Sequence, residues 1–276
     1  MIELDNVQAE AIRLNVVLVS WRIRDTQEDI GRFHFRVTRA NSPGGPFEAI
    51  SPDLVNIFQF FDTTEQMKSN YRKFYYQLVV RDSQTGQEIL SPVASLDAPP
   101  DFFVLELRRR HVHVYLRRFV GIPAAILIAR SFGQRCPQCF DQVKMRQKTS
   151  RCLSCFNMGY VGGFYPQVNT YINWNPNPEL VQLLETGESH PVQTSLWMGD
   201  FPLLSPRDMI VEFPENRRWR VVSTGKTERR RATSRQIAQV VEVNRNDVEY
   251  EYPVQKYVPA PDVFLGFYPP SGSGLL

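Results

Sequence analysis

Hydrophobic and polar positions alternate through most of the first hundred residues. Phe33, Phe35 and Val37 alternate with polar or charged neighbours, and the segment 74–80 shows a similar alternation. A period of two predicts strands with one face on a core and the other in water. Turn signals at residues 41–46 and 82–86 separate these segments. The predicted strands of this part are residues 12–21, 32–39, 47–50, 57–61, 74–80 and 89–96, which together indicate a β-sandwich.

The second half of the chain begins after the Ala-Pro-Pro-Asp sequence at residues 98–101. Asp101 can cap a helix running to about residue 119, although 111–115 also suits a strand. The later pattern predicts strands over residues 124–131, 208–212, 218–222, 237–243 and 248–252, arranged as a small barrel or meander. Residues 257–276 are rich in Pro and Gly and predict an extended arm or disorder.

These segments predict a mainly β fold. It comprises a β-sandwich over residues 1–98, a helix with a cysteine-rich knuckle over 99–170, a small β-barrel over 171–256 and an arm over 257–276. The longest apolar run, residues 121–129, is broken by Pro123 and is interpreted as a buried strand. We therefore expect no interaction with a membrane.

All four cysteines lie within one stretch of twenty residues, as two Cys-x-x-Cys pairs separated by twelve residues. Each pair can place two sulfurs on one side of a tetrahedral ion, and the intervening residues are enough for a small hairpin. Zinc is the predicted occupant, and iron in a rubredoxin-like site is the alternative. The predicted metal ligands are Cys136, Cys139, Cys152 and Cys155.

Two disulfides are the competing interpretation of the same cysteines. The N-terminal residues show neither the basic nor the apolar region of a secretion signal, so we expect synthesis in a reducing cytosol. Four thiolates leave zinc no open position for a water, so the predicted site stabilises the fold and does not catalyse. Glycines 159, 162 and 163 are expected to let the backbone turn beneath the sulfurs.

Positive charge is distributed unevenly, although the formal net charge is only +3. Residues 101–156 hold eleven Lys or Arg against three Asp or Glu, and residues 206–235 hold nine against four. The first hundred residues are slightly acidic, with ten against thirteen. Such segregation indicates either a surface that meets an anionic partner or an ordinary solvated face.

The first part of the chain resembles a fibronectin type III domain over roughly residues 8–97. The resemblance is carried by Trp21 in the second strand, by Phe-His-Phe-Arg-Val-Thr-Arg at 33–39, and by a Gly-Pro-Phe turn at 45–47. It implies that Trp21 and either Tyr75 or Tyr76 are core residues. Modules of this kind bind or space other proteins and rarely catalyse.

The remainder resembles structural proteins of tailed bacteriophages, in particular neck or head–tail connector components. The resemblance is carried by the arginine-rich segment, Gly-Gln-Arg-Cys-Pro-Gln-Cys at 133–139, Pro-Arg-Asp-Met-Ile-Val-Glu-Phe at 206–213 and Val-Glu-Tyr-Glu-Tyr-Pro-Val at 248–254. The glycine turn at 156–160 and the N-terminal sandwich depart from that pattern. The resemblance implies a non-enzymatic virion protein that forms a homo-oligomeric ring between portal or adaptor and tail proteins.

In such a ring, a set of arginines would contact packaged DNA without sequence preference, meet an acidic portal surface or simply be solvated. These are Arg217, Arg218, Arg220, Arg229, Arg230 and Arg231. Two alternatives are a tail or baseplate component and a cellular zinc-knuckle protein that binds nucleic acid. The second would use Arg108–Arg110, Lys144, Arg146, Lys148 and Arg151. A hydrolase is the third, but the sequence shows no catalytic motif.

Overall fold

The structure is a computed structural model of the 276-residue chain. It describes residues 2–13, 16–26, 28–63, 74–96, 102–141, 143–144, 146–148, 151–174, 193–213, 215–229 and 232–255, so the predicted arm at 257–276 lies outside the described residues. The chain divides into two compact units. Unit 1 falls within residues 1–105 and 131–137, and unit 2 falls within residues 106–130 and 138–275. No helix in the described parts is long and apolar enough to cross a membrane.

Unit 1 contains two antiparallel sheets. One has the strand order β1-β2-β6, and the other has the order β4-β3-β7-β8, with β5 paired to β3 and β9 paired to β7. The strands are β1 Leu4–Arg13, β2 Val16–Ile23, β3 Phe33–Ala40, β4 Glu48–Ala49, β5 Leu54–Val55, β6 Gln59–Asp62, β7 Tyr75–Asp82, β8 Glu88–Leu90 and β9 Ala94–Ser95.

The core of unit 1 is formed by the inward positions of the two sheets. Trp21 from β2 lies 5.8 Å from Phe35 of β3, measured between ring centroids, so the sheets pack face to face. Trp21, Phe35 and Tyr76 are almost completely buried, which follows from the alternation along each strand. The predicted mainly β fold is thereby confirmed for this part of the chain, and Tyr76 is the buried tyrosine of the predicted pair.

Three predicted strands differ from the structure. Residues 89–96 were predicted as one strand, but they contain the two short strands β8 and β9. Residues 12–21 were predicted as one strand, but β1 and β2 form an antiparallel pair in which Ala11 lies opposite Val17. No Gly or Pro lies between residues 11 and 17, so neither of the two strongest turn residues separates the two strands in the sequence. Residues 248–252 were also predicted as a strand, but Val248–Glu251 is a 3₁₀ helix in which Tyr250 N–H donates to the carbonyl of Asp247 at 2.9 Å.

Unit 2 is built on a closed six-stranded antiparallel barrel with the order β10-β13-β14-β17-β16-β15. Its strands are β10 Ile122–Leu127, β13 Val168–Trp174, β14 Gln193–Met198, β15 Met209–Glu212, β16 Arg218–Arg229 and β17 Ala232–Glu242. The barrel interior is filled by apolar side chains from all six strands, among them Ile126, Ile172, Leu196, Ile210 and Trp219. Burial of this cluster is the main stabilising term of the unit.

Strand β10 is buried on both faces. Ala124 and Ile126 point into the barrel cluster, whereas Ala125 and Leu127 pack with Met158 and Phe164 outside the barrel. A strand covered on both sides needs apolar residues at every position, which explains the continuous run in the sequence. The barrel thus takes β10 and the start of β13 from before residue 171, where the predicted barrel segment begins.

A helix precedes the barrel, as predicted. It begins as α1, Phe102–Arg109, and continues as a wider π-type helix over Arg110–Val120. Within unit 2, Leu116 packs against Tyr171 and Trp197 on the outside of the barrel. The helix ends at Gly121, where the N–H donates to the carbonyl of Leu116 at 2.7 Å. A Cβ at this position would lie 2.4 Å from that oxygen, so a side chain is excluded.

Candidate metal centre

A short hairpin separates the two cysteine pairs. Its strands are β11, Phe140–Asp141, and β12, Arg146–Gln147, with Asp141 opposite Arg146. Asp141 Oδ1 accepts hydrogen bonds from the N–H groups of Val143 and Lys144 at 2.9 and 3.2 Å. The Lys144 N–H, followed by that of Val143, holds the pKa of Asp141 below its usual value. Lys148 N–H donates to the carbonyl of Cys139 and extends the pairing towards the cysteines.

A tight turn follows the second cysteine pair. Met158 N–H donates to the carbonyl of Cys155 at 2.8 Å, while Asn157 Oδ1 accepts from the N–H of Cys152 at 3.3 Å. The three predicted glycines have left-handed backbone angles, with φ of +85° at 159, +81° at 162 and +70° at 163. A Cβ on Gly163 would lie 2.7 Å from the Cys155 carbonyl oxygen, so this position requires glycine.

The four cysteine sulfurs converge on one point. All lie within 4.8 Å of one another, and all four residues are buried. The Sγ atoms of Cys139 and Cys155 are 3.2 Å apart. A tetrahedral ion with metal–sulfur distances of about 2.3 Å places its sulfurs roughly 3.8 Å apart, which lies between these two values. The structure therefore brings together all four predicted ligands in a cluster compatible with metal binding.

The cluster does not consist of disulfides. The four cysteines are present as thiols, and the 3.2 Å between two of their sulfurs far exceeds a disulfide bond of about 2.0 Å. Four buried soft donors at a common centre suit zinc or iron and leave no position for a water ligand. Such a centre can stabilise the surrounding backbone, but it has no site at which a substrate could be activated.

The segments that lead into and out of the cysteine region pair with each other beside β10. Ala129 and Phe164 form an antiparallel bridge, and Arg130 N–H donates to the carbonyl of Gly163 at 2.9 Å. Met158 and Phe164 cover the outer face of β10. The turn after the second cysteine pair is therefore part of the core of unit 2.

Three of the barrel arginines predicted to meet DNA or an acidic surface bind carboxylate or carbonyl oxygens of the same chain. Arg217 makes two hydrogen bonds to Glu242, at 3.1 and 3.2 Å, and Arg220 is paired with Glu249. Arg218 is 5% exposed and donates to the backbone carbonyl of Glu249 at 3.0 Å. The other three predicted positions, the side chain of Arg229 and residues 230–231, lie outside the described structure.

The cations assigned to the alternative nucleic-acid surface divide into two groups. Arg108 is buried, 3.2 Å from Asp200, and Arg110 pairs with Glu106 on the same helix. The side chain of Arg109 falls among the positions that are not described. In contrast, the four cations around the cysteine hairpin are exposed: Lys144, Arg146, Lys148 and Arg151. Only this second group is placed to meet a partner.

Sequence reasoning missed several buried polar groups, among them Asp62 and Asp208. In unit 1, Asp62 accepts from Tyr76 Oη at 3.0 Å and pairs with Arg39 at 2.8 Å. In unit 2, Asp208 accepts from the N–H groups of Ala129 and Ser205, and burial raises its pKa to about 6. Their partners lie far away in sequence or in the backbone, so no spacing rule identifies them.

Comparisons with known proteins give no family for the chain. No protein-family description matches it, and no curated protein matches it. Among solved structures, a similar chain is that of titin kinase and its flanking domains, with a TM-score of 0.27 and 5% sequence identity. The alignment covers 87% of this chain and 37% of the titin chain. Similarity at this level establishes neither a shared fold nor a shared function.

Proposed function

We propose that this chain is a non-enzymatic structural protein of a tailed bacteriophage virion. It would form a homo-oligomeric ring in the neck and join the portal or adaptor side to the tail side. The proposal rests on the phage-like sequence segments, and one structural observation supports it. That observation is the closed barrel, in which the cysteine cluster lies in the connection between β10 and β13, residues 128–167. We call this connection the cysteine excursion, and it lies within the part of the chain that resembles phage proteins.

The role we assign to the metal, taken to be zinc, is to fix the cysteine excursion on the barrel. The hairpin β11–β12 has only two residue pairs, too few for independent stability in water. A bound ion joins both of its ends through the four sulfurs and contributes its binding free energy to folding. The turn that follows is attached to β10 through Met158 and Phe164. Loss of zinc would therefore loosen one side of the barrel.

Ring formation fits the proposed position because a connector must present one type of surface to its own copies and others to its neighbours. Heterologous contacts that close by rotation generate such rings. The sandwich of unit 1 offers a further surface to partner proteins, as modules of this type do in many proteins.

The first test is the mass of the purified chain by light scattering, with its shape observed by electron microscopy and its metal content by elemental analysis. We expect closed rings with one zinc per chain, and their dissociation when a strong chelator removes the metal. A replacement of Cys152 by Ser, with Ser154→Ala as the matched control, separates loss of the metal from side effects of the chelator. A monomer at high concentration with zinc bound would refute the ring.

A further inference from the structure

Four exposed cations surround the cysteine hairpin. Lys144 lies in the hairpin turn, Arg146 is in β12, Lys148 follows that strand, and Arg151 precedes the second cysteine pair; all four are exposed. Between residues 140 and 155 the only acidic residue is Asp141. The side chains of this hairpin therefore carry a net charge of +3, from four cations and one carboxylate.

Strand geometry places Arg146 and Lys148 on one face. Gln147, between them, donates from Nε2 to the carbonyl of Asn157 at 2.9 Å, so its side chain faces the turn after the second cysteine pair. Successive side chains of a strand point in opposite directions, so Arg146 points away from that turn. Lys148 follows the strand, and its N–H continues the pairing by donating to the carbonyl of Cys139. Asp141, directly opposite Arg146, lies 4.0 Å from Lys148 on the same face.

The spacing on this face matches a regular polyanion. Two positions apart along a strand correspond to about 7 Å, comparable to the separation of neighbouring phosphates on one nucleic-acid strand. Phe140, the aromatic residue of β11, is 9% exposed and offers no stacking surface. Recognition by this face therefore depends on phosphate contact and carries no base preference.

We propose that the exposed cations of the hairpin, Lys144, Arg146, Lys148 and Arg151, here called the hairpin cation face, bind the phosphate backbone of duplex DNA. This assigns DNA contact to the cysteine hairpin instead of the barrel arginines. Arg217 and Arg220 are each hydrogen-bonded to a carboxylate, whereas the four hairpin cations share one carboxylate, Asp141, which lies 4.0 Å from Lys148. The inference goes beyond the proposed ring and does not depend on it.

Two other roles for these cations compete with DNA binding. A divalent ion with four thiolates carries a charge of −2, so the cations could simply balance the metal centre. However, the cysteines are at most 5% exposed, whereas the cationic residues are exposed to solvent. An acidic protein is the second competitor. Val143 and Leu153, which are 92% and 60% exposed, add apolar surface next to the cations, and exposed apolar surface is typical of protein interfaces.

The test is fluorescence anisotropy of a labelled mixed-sequence DNA duplex titrated with the full-length, zinc-loaded protein at several salt concentrations. The variant is Arg146→Gln with Lys148→Gln. Each phosphate contact contributes about 0.9 to the slope of log affinity against log salt, so the double variant should lower the slope by about 1.8. If the variant and the wild type bind equally at 1 M salt, the variant should bind DNA roughly 60-fold more weakly than the wild type at about 0.1 M salt.

The matched control is Arg81→Gln with Lys226→Gln, which removes one Arg and one Lys at exposed positions elsewhere. It should retain the wild-type slope, because it changes the net charge equally but leaves the hairpin cation face intact. An equal loss in the control would overturn the inference, since overall charge would then explain the binding.

Polyglutamate and zinc competition distinguish the remaining roles. Tighter binding to polyglutamate than to DNA would assign the face to an acidic protein and overturn the inference. A variant that loses zinc affinity while its DNA affinity is unchanged would show that the cations balance the metal centre. A monomeric chain that binds DNA through this face would keep this inference and remove the proposed ring, whereas a ring with no DNA affinity would do the reverse.

Discussion

Replacement of Gly163 by alanine is the sharpest test of how the backbone supports the cysteine cluster. The φ of +70° at this residue is left-handed, and a Cβ would lie 2.7 Å from the carbonyl oxygen of Cys155. Ordinary contact begins at 3.4 Å, so the oxygen must move by about 3.4 − 2.7 = 0.7 Å. That oxygen also accepts the N–H of Met158, so its displacement disturbs the turn that follows the ligand.

The expected cost has two parts. A non-glycine residue in the left-handed region costs about 1–2 kcal/mol, and forcing an atom into a well-packed site costs about 1–3 kcal/mol more. Because metal binding requires the folded turn, the total of about 2–5 kcal/mol weakens metal affinity by at least roughly 30-fold, at about 1.4 kcal/mol per tenfold.

Gly86 provides the matched control, because its φ is also +70° but a Cβ there meets no atom within 4 Å. Gly86→Ala should lose about 1–2 kcal/mol of unfolding free energy from strain alone and keep its metal affinity. The assays are urea unfolding and zinc titration against a competing chelator. Equal metal affinity in the Gly163→Ala variant and the wild type would refute the proposed support of Cys155 by this close approach.

Two further predictions concern buried charges of unit 2. Burial raises the pKa of Asp208 from 3.8 to about 6, above its unfolded value, so its contribution to stability is complete below pH 4 and is lost as pH rises through about 6. The difference of 2.2 pKa values corresponds to up to about 3 kcal/mol, and unfolding measured from pH 4 to pH 7 should show this loss in the wild type but not in Asp208→Asn; equal slopes would contradict it. Asp200→Ala should cost about 3–5 kcal/mol, because it leaves the buried Arg108 without its carboxylate. In urea unfolding, the double variant Arg108→Met with Asp200→Leu should lose less, and an additive loss would show that the two residues act independently.

Local patterns were enough to predict most strands and the candidate metal ligands. Alternation located β3 and β7 to within two residues, because one face of each strand packs on the sandwich core. The cysteine spacing predicted the cluster because both pairs and the intervening hairpin are close in sequence, so little chain needs to be organised to bring the sulfurs together. The identity of the metal stays a prediction.

Charge patterns were less informative than cysteine spacing. The arginines at 217, 218 and 220 read as one basic segment, but two of them are neutralised by Glu242 and Glu249, which lie 25 and 29 residues further along the chain. An ion pair between distant residues leaves no local signal. The same limit applies to Arg108 and Asp200, whose pairing depends on how the helix packs beside the barrel.

The sequence by itself determined the β character of the chain and the four cysteines that converge, because alternation and short spacing are local properties. Only the tertiary structure decided that the barrel closes through β10 and β15, which lie more than eighty residues apart. It also decided which cations remain exposed. Closure depends on the register between distant strands, and that register is set by the summed burial of side chains from all six strands, which no segment contains alone.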